Sequence, residues 1–108
     1  FTTKVNTLAM PLRSVAVYDD QNSQLNDPLL PPGIGRPTLK IDLQSAALAQ
    51  SVSCFASGQG ALEIERERNT IITQPNADLP VGRSRINCTM PAADGRWRWL
   101  GVQFYVPG

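Results

Sequence analysis

The chain has 108 residues, 42% of them hydrophobic and 18% charged, which is typical of one globular domain and excludes a disordered chain. Ten Lys and Arg against nine Asp and Glu leave a net charge of +1, so no overall field attracts nucleic acid or an anionic membrane. Histidine is absent, which excludes serine triads, cysteine–histidine pairs and the usual zinc sites. We therefore expect a chain that is not an enzyme by itself, with no catalytic residue, no metal and no cofactor.

The first third of the chain predicts short strands followed by a long loop. Val15 and Val17 belong to a strand-like run that is broken at Pro11, and because proline donates no hydrogen bond to a ladder, we place this part at a sheet edge or at a strand crossing. Residues 19–37 are dominated by turn formers, with prolines at 28, 31, 32 and 37. These prolines remove donors and restrict their neighbours, so we predict a surface loop and no helix.

Strand-like segments dominate the rest of the chain. Apolar and polar side chains alternate over residues 38–44 and 62–65, which is the pattern of half-buried strands, and in the segment 51–57 Val52, Cys54 and Ala56 share one face. Residues 45–50, SAALAQ, suit one helical turn between the segments 38–44 and 51–57. Asn69 suits a tight turn into TIITQ, and two further strands close the chain.

About seven short strands with frequent turn signals predict an all-β fold. The leading arrangement is an antiparallel β-sandwich with immunoglobulin-like topology, and a small Greek-key barrel is the alternative. Ile86 departs from the antibody pattern, because the corner tyrosine would stand there. Since the first residue is Phe1 and not Met, we expect residues 1–108 to be a single domain excised from a larger protein.

Cys54 and Cys88 are the only cysteines, and they fall on two strand-like runs, SVSCFAS and RINCTMP. We predict a disulfide between them across the sandwich, closing a loop of about 35 residues; two buried free thiols are the alternative. A disulfide requires an oxidising compartment, so the pair favours a periplasmic or secreted location. No apolar run approaches the roughly 20 residues that a spanning helix needs, so we expect no transmembrane segment.

The last strand-like run carries the aromatic residues that bear most directly on a partner. If it forms one uninterrupted strand, alternate side chains share a face. These are Trp97, Trp99, Gly101, Gln103 and Tyr105. Exposed indoles in a row make a flat apolar platform for the C–H face of a sugar ring, and neighbouring arginine or glutamine can bond its hydroxyls. The alternative is a bulge at Gly101 that turns both tryptophans into the core.

Six of the eight arginines fall in pairs two residues apart, and these are Arg66, Arg68, Arg83, Arg85, Arg96 and Arg98. On neighbouring strands the pairs would form a cationic ladder able to receive a carboxylate or sulfate of an anionic glycan. The alternative is that nearby acids pair with them across strands, each pair contributing well under about 1 kcal/mol at the surface. These acids are Glu63, Glu65, Glu67 and Asp94.

The run GRSRINCTMP, followed by DGRWRWLGVQFYVPG, resembles the C-terminal β-modules appended to certain bacterial polysaccharide deacetylases. Those modules tend to close with Gly-Arg-x-Arg-x-Asn-Cys-Thr and an aromatic final strand, and the resemblance covers about residues 79–108. The deacetylases hydrolyse acetyl groups of glycans at a divalent metal held by an aspartate and two histidines on a separate barrel. Here the Asp19-Asp20 pair suits a turn, lacks the family's following glycine and has no histidine beside it. The resemblance therefore implies an accessory domain and carries over no catalytic residue.

Together these features predict an accessory glycan-binding module of an exported bacterial protein, beside a polysaccharide deacetylase domain. The expected contact residues are Trp97, Trp99 and Tyr105 for stacking, and Arg96, Arg98 and Gln103 for polar contacts. The expected partners are a polysaccharide or cell-wall glycan and a neighbouring domain of the same protein, and not nucleic acid. The alternative is a structural or assembly module whose sheet edge pairs with another chain.

Overall fold

The computed structural model describes residues 4–8, 10–26, 29–91 and 95–108. Within them eight strands and one short helix follow in the order β1 (Lys4–Leu8), β2 (Leu12–Tyr18), β3 (Thr38–Leu43), α1 (Ala46–Gln50), β4 (Ser53–Ala56), β5 (Ile64–Glu67), β6 (Thr70–Thr73), β7 (Gly82–Pro91) and β8 (Trp97–Val106). The strands form two four-stranded sheets with the orders β1-β8-β7-β4 and β2-β3-β6-β5. We refer to them as the terminal sheet, which holds the first and last strands, and the second sheet.

The connectivity is that of an immunoglobulin constant-type domain with one added strand. In such domains strands A, B, E and D form one sheet and C, F and G the other. Here β2, β3, β6 and β5 take the first four places, and β4, β7 and β8 take the other three. The added strand, β1, pairs antiparallel with the remaining edge of β8. Within the described residues no strand pairing joins the two sheets. This confirms the predicted β-sandwich and excludes the alternative of a closed barrel.

One face of each sheet packs into a common core because side chains alternate along the strands. In β3, Leu39, Ile41 and Leu43 are at most 1% exposed, whereas Lys40 between them faces solvent. The largest fully buried side chains are Phe104, Leu30, Leu39, Ile41, Leu43, Ile71, Ile86, Leu100, Val17, Val52, Val102 and Pro37. Burying one such apolar side chain contributes about 1.5–3 kcal/mol to stability, so the core holds the two sheets together.

The connection over residues 19–37 is a loop wherever the structure describes it, as predicted. It is anchored in the core by Leu30, which is 1% exposed and whose N–H donates to the carbonyl of Tyr105 at 2.8 Å. At its start, the carboxylate of Asp19 accepts from the backbone N–H groups two and four residues later, at 2.8 and 2.9 Å. Asp19 therefore organises a turn.

The helix α1 is secured at both ends by side chains. The hydroxyl of Ser45 accepts from the N–H of Leu48 at 3.3 Å, which is an N-cap. At the other end Arg66 donates to the carbonyls of Ala49, at 2.9 Å, and Val52, at 2.7 Å. Carbonyls at a helix C-terminus lack intrahelical partners, so these bonds join β5 to the helix. Arg66 is thus a structural residue and not part of a cationic ladder.

Cys54 and Cys88 are bonded to each other, which confirms the predicted pair but not its place. They lie directly opposite on β4 and β7, so the bond joins neighbouring strands of the terminal sheet, and the prediction that it crosses the sandwich is wrong. The two cysteines can bond within one sheet because they form a non-hydrogen-bonded pair, and residues of such pairs approach most closely in an antiparallel ladder. The carbonyl of Cys54 accepts instead from Leu62, outside the pair, at 2.9 Å.

The hairpin between β5 and β6 turns at Arg68 and Asn69. The residue with the left-handed backbone is Arg68, with φ of 57°, whereas Asn69 was the expected turn former. The side chain of Asn69 instead donates to the carbonyl of Leu43 at 2.8 Å. Asn69 therefore links the hairpin to β3 by its amide.

Candidate functional site

The strand β8 is uninterrupted from Trp97 to Val106. It pairs with β1 on one side and with β7 on the other, and neither ladder changes register. Gly101 therefore forms no bulge, and the alternation of side chains is kept along the strand. Leu100, Val102 and Phe104 point into the core and are fully buried. The intervening side chains point outward, as the uninterrupted-strand alternative predicts.

The outward side of the terminal sheet forms one continuous surface, which we call the aromatic face. Residues directly opposite in an antiparallel ladder carry their side chains on the same side of the sheet, so the registers define its members. We define the aromatic face by its members on three of the four strands, which are Trp97, Trp99, Gly101, Gln103 and Tyr105 of β8, Arg83, Arg85, Asn87, Thr89 and Pro91 of β7, and Ser53 and Phe55 of β4.

Both tryptophans belong to this face and not to the core. Trp97 is 63% exposed and Trp99 is half-buried. Phe55 and Tyr105, on the same face, are 42% and 39% exposed. Single exposed apolar side chains are ordinary on a protein surface, but several on one sheet face form a patch of the kind that marks a binding site.

Gly101 shapes the middle of the aromatic face. A methyl group placed there would lie 3.4 Å from Cζ3 of Trp99 and 3.1 Å from Oδ1 of Asn87. The indole of Trp99 therefore extends over Gly101, and the amide of Asn87 borders the same spot from β7. Because no side chain stands at Gly101, the ring can lie low against the sheet. The result is a flat apolar surface with a carboxamide beside it.

Two arginines that the sequence did not assign to the site stand on this face. Arg83 lies opposite Tyr105, with its guanidinium carbon 5.7 Å from the ring centre, which is cation–π geometry. Arg85 lies opposite Gln103. Neither forms an ion pair with any residue that the structure describes, so the alternative of pairing with Glu63, Glu65 or Glu67 does not hold for them, and Asp94 lies outside the described residues. Only the register of β7 against β8 shows that these two arginines lie beside Tyr105 and Gln103.

The remaining predicted arginines are placed elsewhere. Arg98 lies on the opposite side of β8 from the tryptophans, opposite Met90, and is half-buried. Arg96 precedes the strand and is exposed. Arg66 and Arg68 belong to the hairpin of the second sheet, so the three arginine pairs form no continuous ladder. Of the six predicted contact residues, the face brings together Trp97, Trp99, Gln103 and Tyr105.

Charge is unevenly divided between the two sheets. The strands of the terminal sheet contain Lys4, Arg83, Arg85 and Arg98, and all nine acidic residues of the chain lie outside them. The aromatic face therefore carries two guanidinium groups and no carboxylate among its members, although the net charge of the chain is only +1. Such a surface attracts anions locally.

No protein-family model, curated protein or solved structure matches the chain. In the described part of the chain, no helix has the length and apolar character needed to cross a membrane. The same residues contain no cluster of three or more side chains suited to hold a metal ion. The fold and the face define an immunoglobulin-like β-sandwich with an exposed aromatic and cationic surface.

Proposed function

We propose that this domain is a non-catalytic accessory module that binds a polysaccharide through the aromatic face. The observation that carries the proposal is the position of an exposed Trp97 and a half-buried Trp99 on the outward side of one uninterrupted strand. Side chains two residues apart on one strand face are separated by about 7 Å. Two indoles so arranged offer stacking surface to the apolar faces of successive sugar rings.

Polar groups beside the tryptophans can supply hydrogen bonds to sugar hydroxyls. Asn87 and Gln103 each offer an amide donor and a carbonyl acceptor, and Thr89 stands directly opposite Trp99 with a hydroxyl. A flat, open face of this kind suits an extended polymer, whereas small ligands are held in concave pockets that bury most of their surface. We therefore propose a chain of sugars as the ligand and not a single monosaccharide.

The biological setting is part of the same proposal. The resemblance of residues 79–108 to modules of polysaccharide deacetylases supports a place beside a catalytic domain of that kind in an exported bacterial protein. The described aromatic face carries no carboxylate or thiol, and the chain has no histidine, so Tyr105 is the one side chain among the members of the face that belongs to the usual acid–base groups. The disulfide is compatible with a periplasmic or secreted location.

Affinity electrophoresis tests the proposal with soluble polysaccharides cast into the gel: β-glucan, xylan, glycol chitin and polygalacturonate. We expect at least one to retard the wild-type domain, and Trp97→Ala and Trp99→Ala each to weaken binding about tenfold or more. Tyr18→Ala, which removes an aromatic ring from the second sheet, is the matched control and should bind like the wild type. Equal retardation of wild type and both tryptophan variants would refute the aromatic face as the site.

The edge of the terminal sheet favours assembly as a second candidate function. β1 pairs only with β8, so its other edge has no partner strand among the described residues. Such an edge can accept a strand from another chain. Light scattering across a range of protein concentrations distinguishes the candidates: a dimer that persists in Trp97→Ala, with no polysaccharide bound by the wild type, would support assembly.

A further inference from the structure

We infer that the polysaccharide bound by the aromatic face is acidic, carrying carboxylate or sulfate groups that Arg83 and Arg85 receive. This inference rests on the proposed function and adds the chemical class of the ligand. Nothing in the tryptophans alone selects a charged sugar over a neutral one. The selection comes from the arginines that share the face with them.

The two guanidinium groups are available to a ligand. Both arginines are exposed, and neither forms an ion pair in the part of the chain that the structure describes. Arg83 is held over the ring of Tyr105, which restricts its side chain before a ligand arrives. A guanidinium in this state can bind a carboxylate or sulfate through two parallel N–H donors. A neutral glycan would gain no such bonds.

The surroundings strengthen the attraction because no member of the aromatic face is acidic. An anionic ligand on this face therefore meets two cations and no like charge from the members of the face. At the surface each contact is modest, but multiple contacts along a polymer act together. The net charge of +1 conceals this local excess because the acids lie outside the terminal sheet.

The positions along β8 indicate how an acidic polymer would lie. Trp97 and Trp99 occupy one end of the strand, whereas Arg85 and Arg83 stand beside Gln103 and Tyr105 towards the other end. From Trp99 to Gln103 the distance along the strand is about 13 Å. A ligand that stacks on the indoles and also reaches the guanidinium groups must span several sugar units. The inference therefore requires an acidic oligomer and not an acidic monosaccharide.

Single-stranded nucleic acid is also anionic and stacks on aromatic side chains. The structure favours a glycan because the buried Cys54–Cys88 disulfide indicates an oxidising compartment, where nucleic acid is not the usual polymer. Binding of a single-stranded oligonucleotide is therefore included in the test as an outcome that would overturn the inference.

The test uses two matched pairs of polymers: polygalacturonate with its carboxyl-reduced neutral form, and carboxymethylcellulose with hydroxyethylcellulose. Binding is measured by affinity electrophoresis and calorimetry at about 0.01 M salt and at about 1 M salt, where charges are screened beyond about 3 Å. The variant R83Q/R85Q removes both guanidinium groups from the face. R13Q/K40Q removes the same charge from the second sheet and is the control. R83K/R85K keeps the charge without the planar fork.

We expect the acidic member of at least one pair to bind about tenfold or more tightly at low salt, and this advantage to disappear at high salt and in R83Q/R85Q. R13Q/K40Q should keep the preference for the acidic polymer. R83K/R85K should bind the acidic polymer more weakly than the wild type, and its binding should still weaken at high salt. Thermal melts of all variants test whether a loss of binding is caused by unfolding. We expect the melting temperatures to change little, because Arg83 and Arg85 form no side-chain hydrogen bond with any described residue.

Equal binding of acidic and neutral members, abolished by Trp97→Ala, would overturn the acidic preference and leave the glycan proposal standing. Failure of every polysaccharide to bind would overturn both. An oligonucleotide that binds more tightly than any acidic polysaccharide would overturn both in favour of nucleic acid.

Discussion

Cys54 faces Cys88 across neighbouring strands of one sheet, with 4.0 Å between their Cα atoms and both side chains at most 1% exposed. In antibody domains the corresponding bond links the two sheets. Here the covalent link stabilises the pairing of β4 with β7 and thereby supports the sheet that carries the aromatic face. Contact between the sheets rests on the apolar core.

Removing this bond should lower stability substantially. For a closed loop of about 35 residues, the chain-entropy model gives a loss of about 3–4 kcal/mol for Cys54→Ala/Cys88→Ala. Urea unfolding of wild type and double variant measures the difference. In the native wild type, both cysteines should also resist alkylation without reductant. An unchanged unfolding midpoint, or two free thiols, would contradict the prediction.

Substitution of the exposed indole should cost far less stability than substitution in the core. We expect Trp97→Ala to change the free energy of unfolding by less than about 1 kcal/mol, because the side chain is 63% exposed. Phe104→Ala, on the buried side of the same strand, should cost about 3–5 kcal/mol. Thermal melts compare the two. Comparable losses would mean that the indole packs in the core.

Arg66 should matter more for stability than its neighbour Arg68. Arg66→Gln removes the donors to the carbonyls of Ala49 and Val52, which should cost about 1–3 kcal/mol. Arg68→Gln is the same chemical change two residues away and should fall within about 0.5 kcal/mol of wild type. Urea titration of both variants decides this. Equal effects would show that the carbonyl bonds contribute little.

The turn between β5 and β6 should be improved by glycine at its first position. A positive φ at the first loop residue alone is the pattern of a type II′ turn, in which glycine is preferred. Arg68→Gly should therefore stabilise the domain by about 1 kcal/mol. Asn69→Gly should destabilise it, because the amide bond to the carbonyl of Leu43 is lost. Melting temperatures that move in the opposite directions would exclude this turn geometry.

Asp42 should make stability depend on pH in the acid range. The pKa of Asp42 lies below its usual value, chiefly because the hydroxyl of Thr70 donates to the carboxylate; burial opposes this, while Ser14 and nearby cations add to it. A lowered folded-state pKa stabilises the protein above the unfolded-state pKa of about 3.9, and the stabilisation is lost as pH falls through the folded-state value.

We therefore expect Asp42→Asn to lower the free energy of unfolding by about 1 kcal/mol at neutral pH. The gap to wild type should narrow below pH of about 4, as the wild-type carboxylate is protonated. Chemical denaturation of both proteins at several pH values measures the gap. A gap that stays constant down to pH of about 2 would assign the effect to something other than the charge.

The local alternation of apolar and polar side chains was enough to predict the strands, but it did not predict their order in the sheets or the register between neighbours. The pattern in β3 and β4 correctly identified which side chains are buried, because burial of alternate residues is a property of a single strand. Gly101 was ambiguous for the same reason: a glycine in a strand fits either a bulge or a close contact, and only the ladders on both sides of β8 decide. The local sequence does not determine which strands are neighbours in a sheet, so it could not show that the disulfide joins two strands of the same sheet.

The arginines illustrate this limit for the candidate site. Arg66, Arg85 and Arg98 each belong to a pair two residues apart, yet one bonds helix carbonyls, one faces outward beside Gln103 and one lies on the inner side of β8. Their spacing is the same, whereas the neighbouring strands differ. The aromatic half of the site was therefore predictable from sequence, and the cationic half required the register of β7.

The antiparallel pairing of β1 with β8 also determines how the face would be presented to its surroundings. Lys4 lies opposite Gln103, so the beginning of β1 and the end of β8 are at the same end of the sheet. Trp97 begins β8 at the far end, about 26 Å along the strand from Tyr105. A segment that continues the course of β8 beyond Val106 would leave from the end remote from Trp97. Attached to a larger body at that end, the domain would hold Trp97 outward at a distance of about 26 Å along β8, which is more than half of its longest dimension of 42 Å.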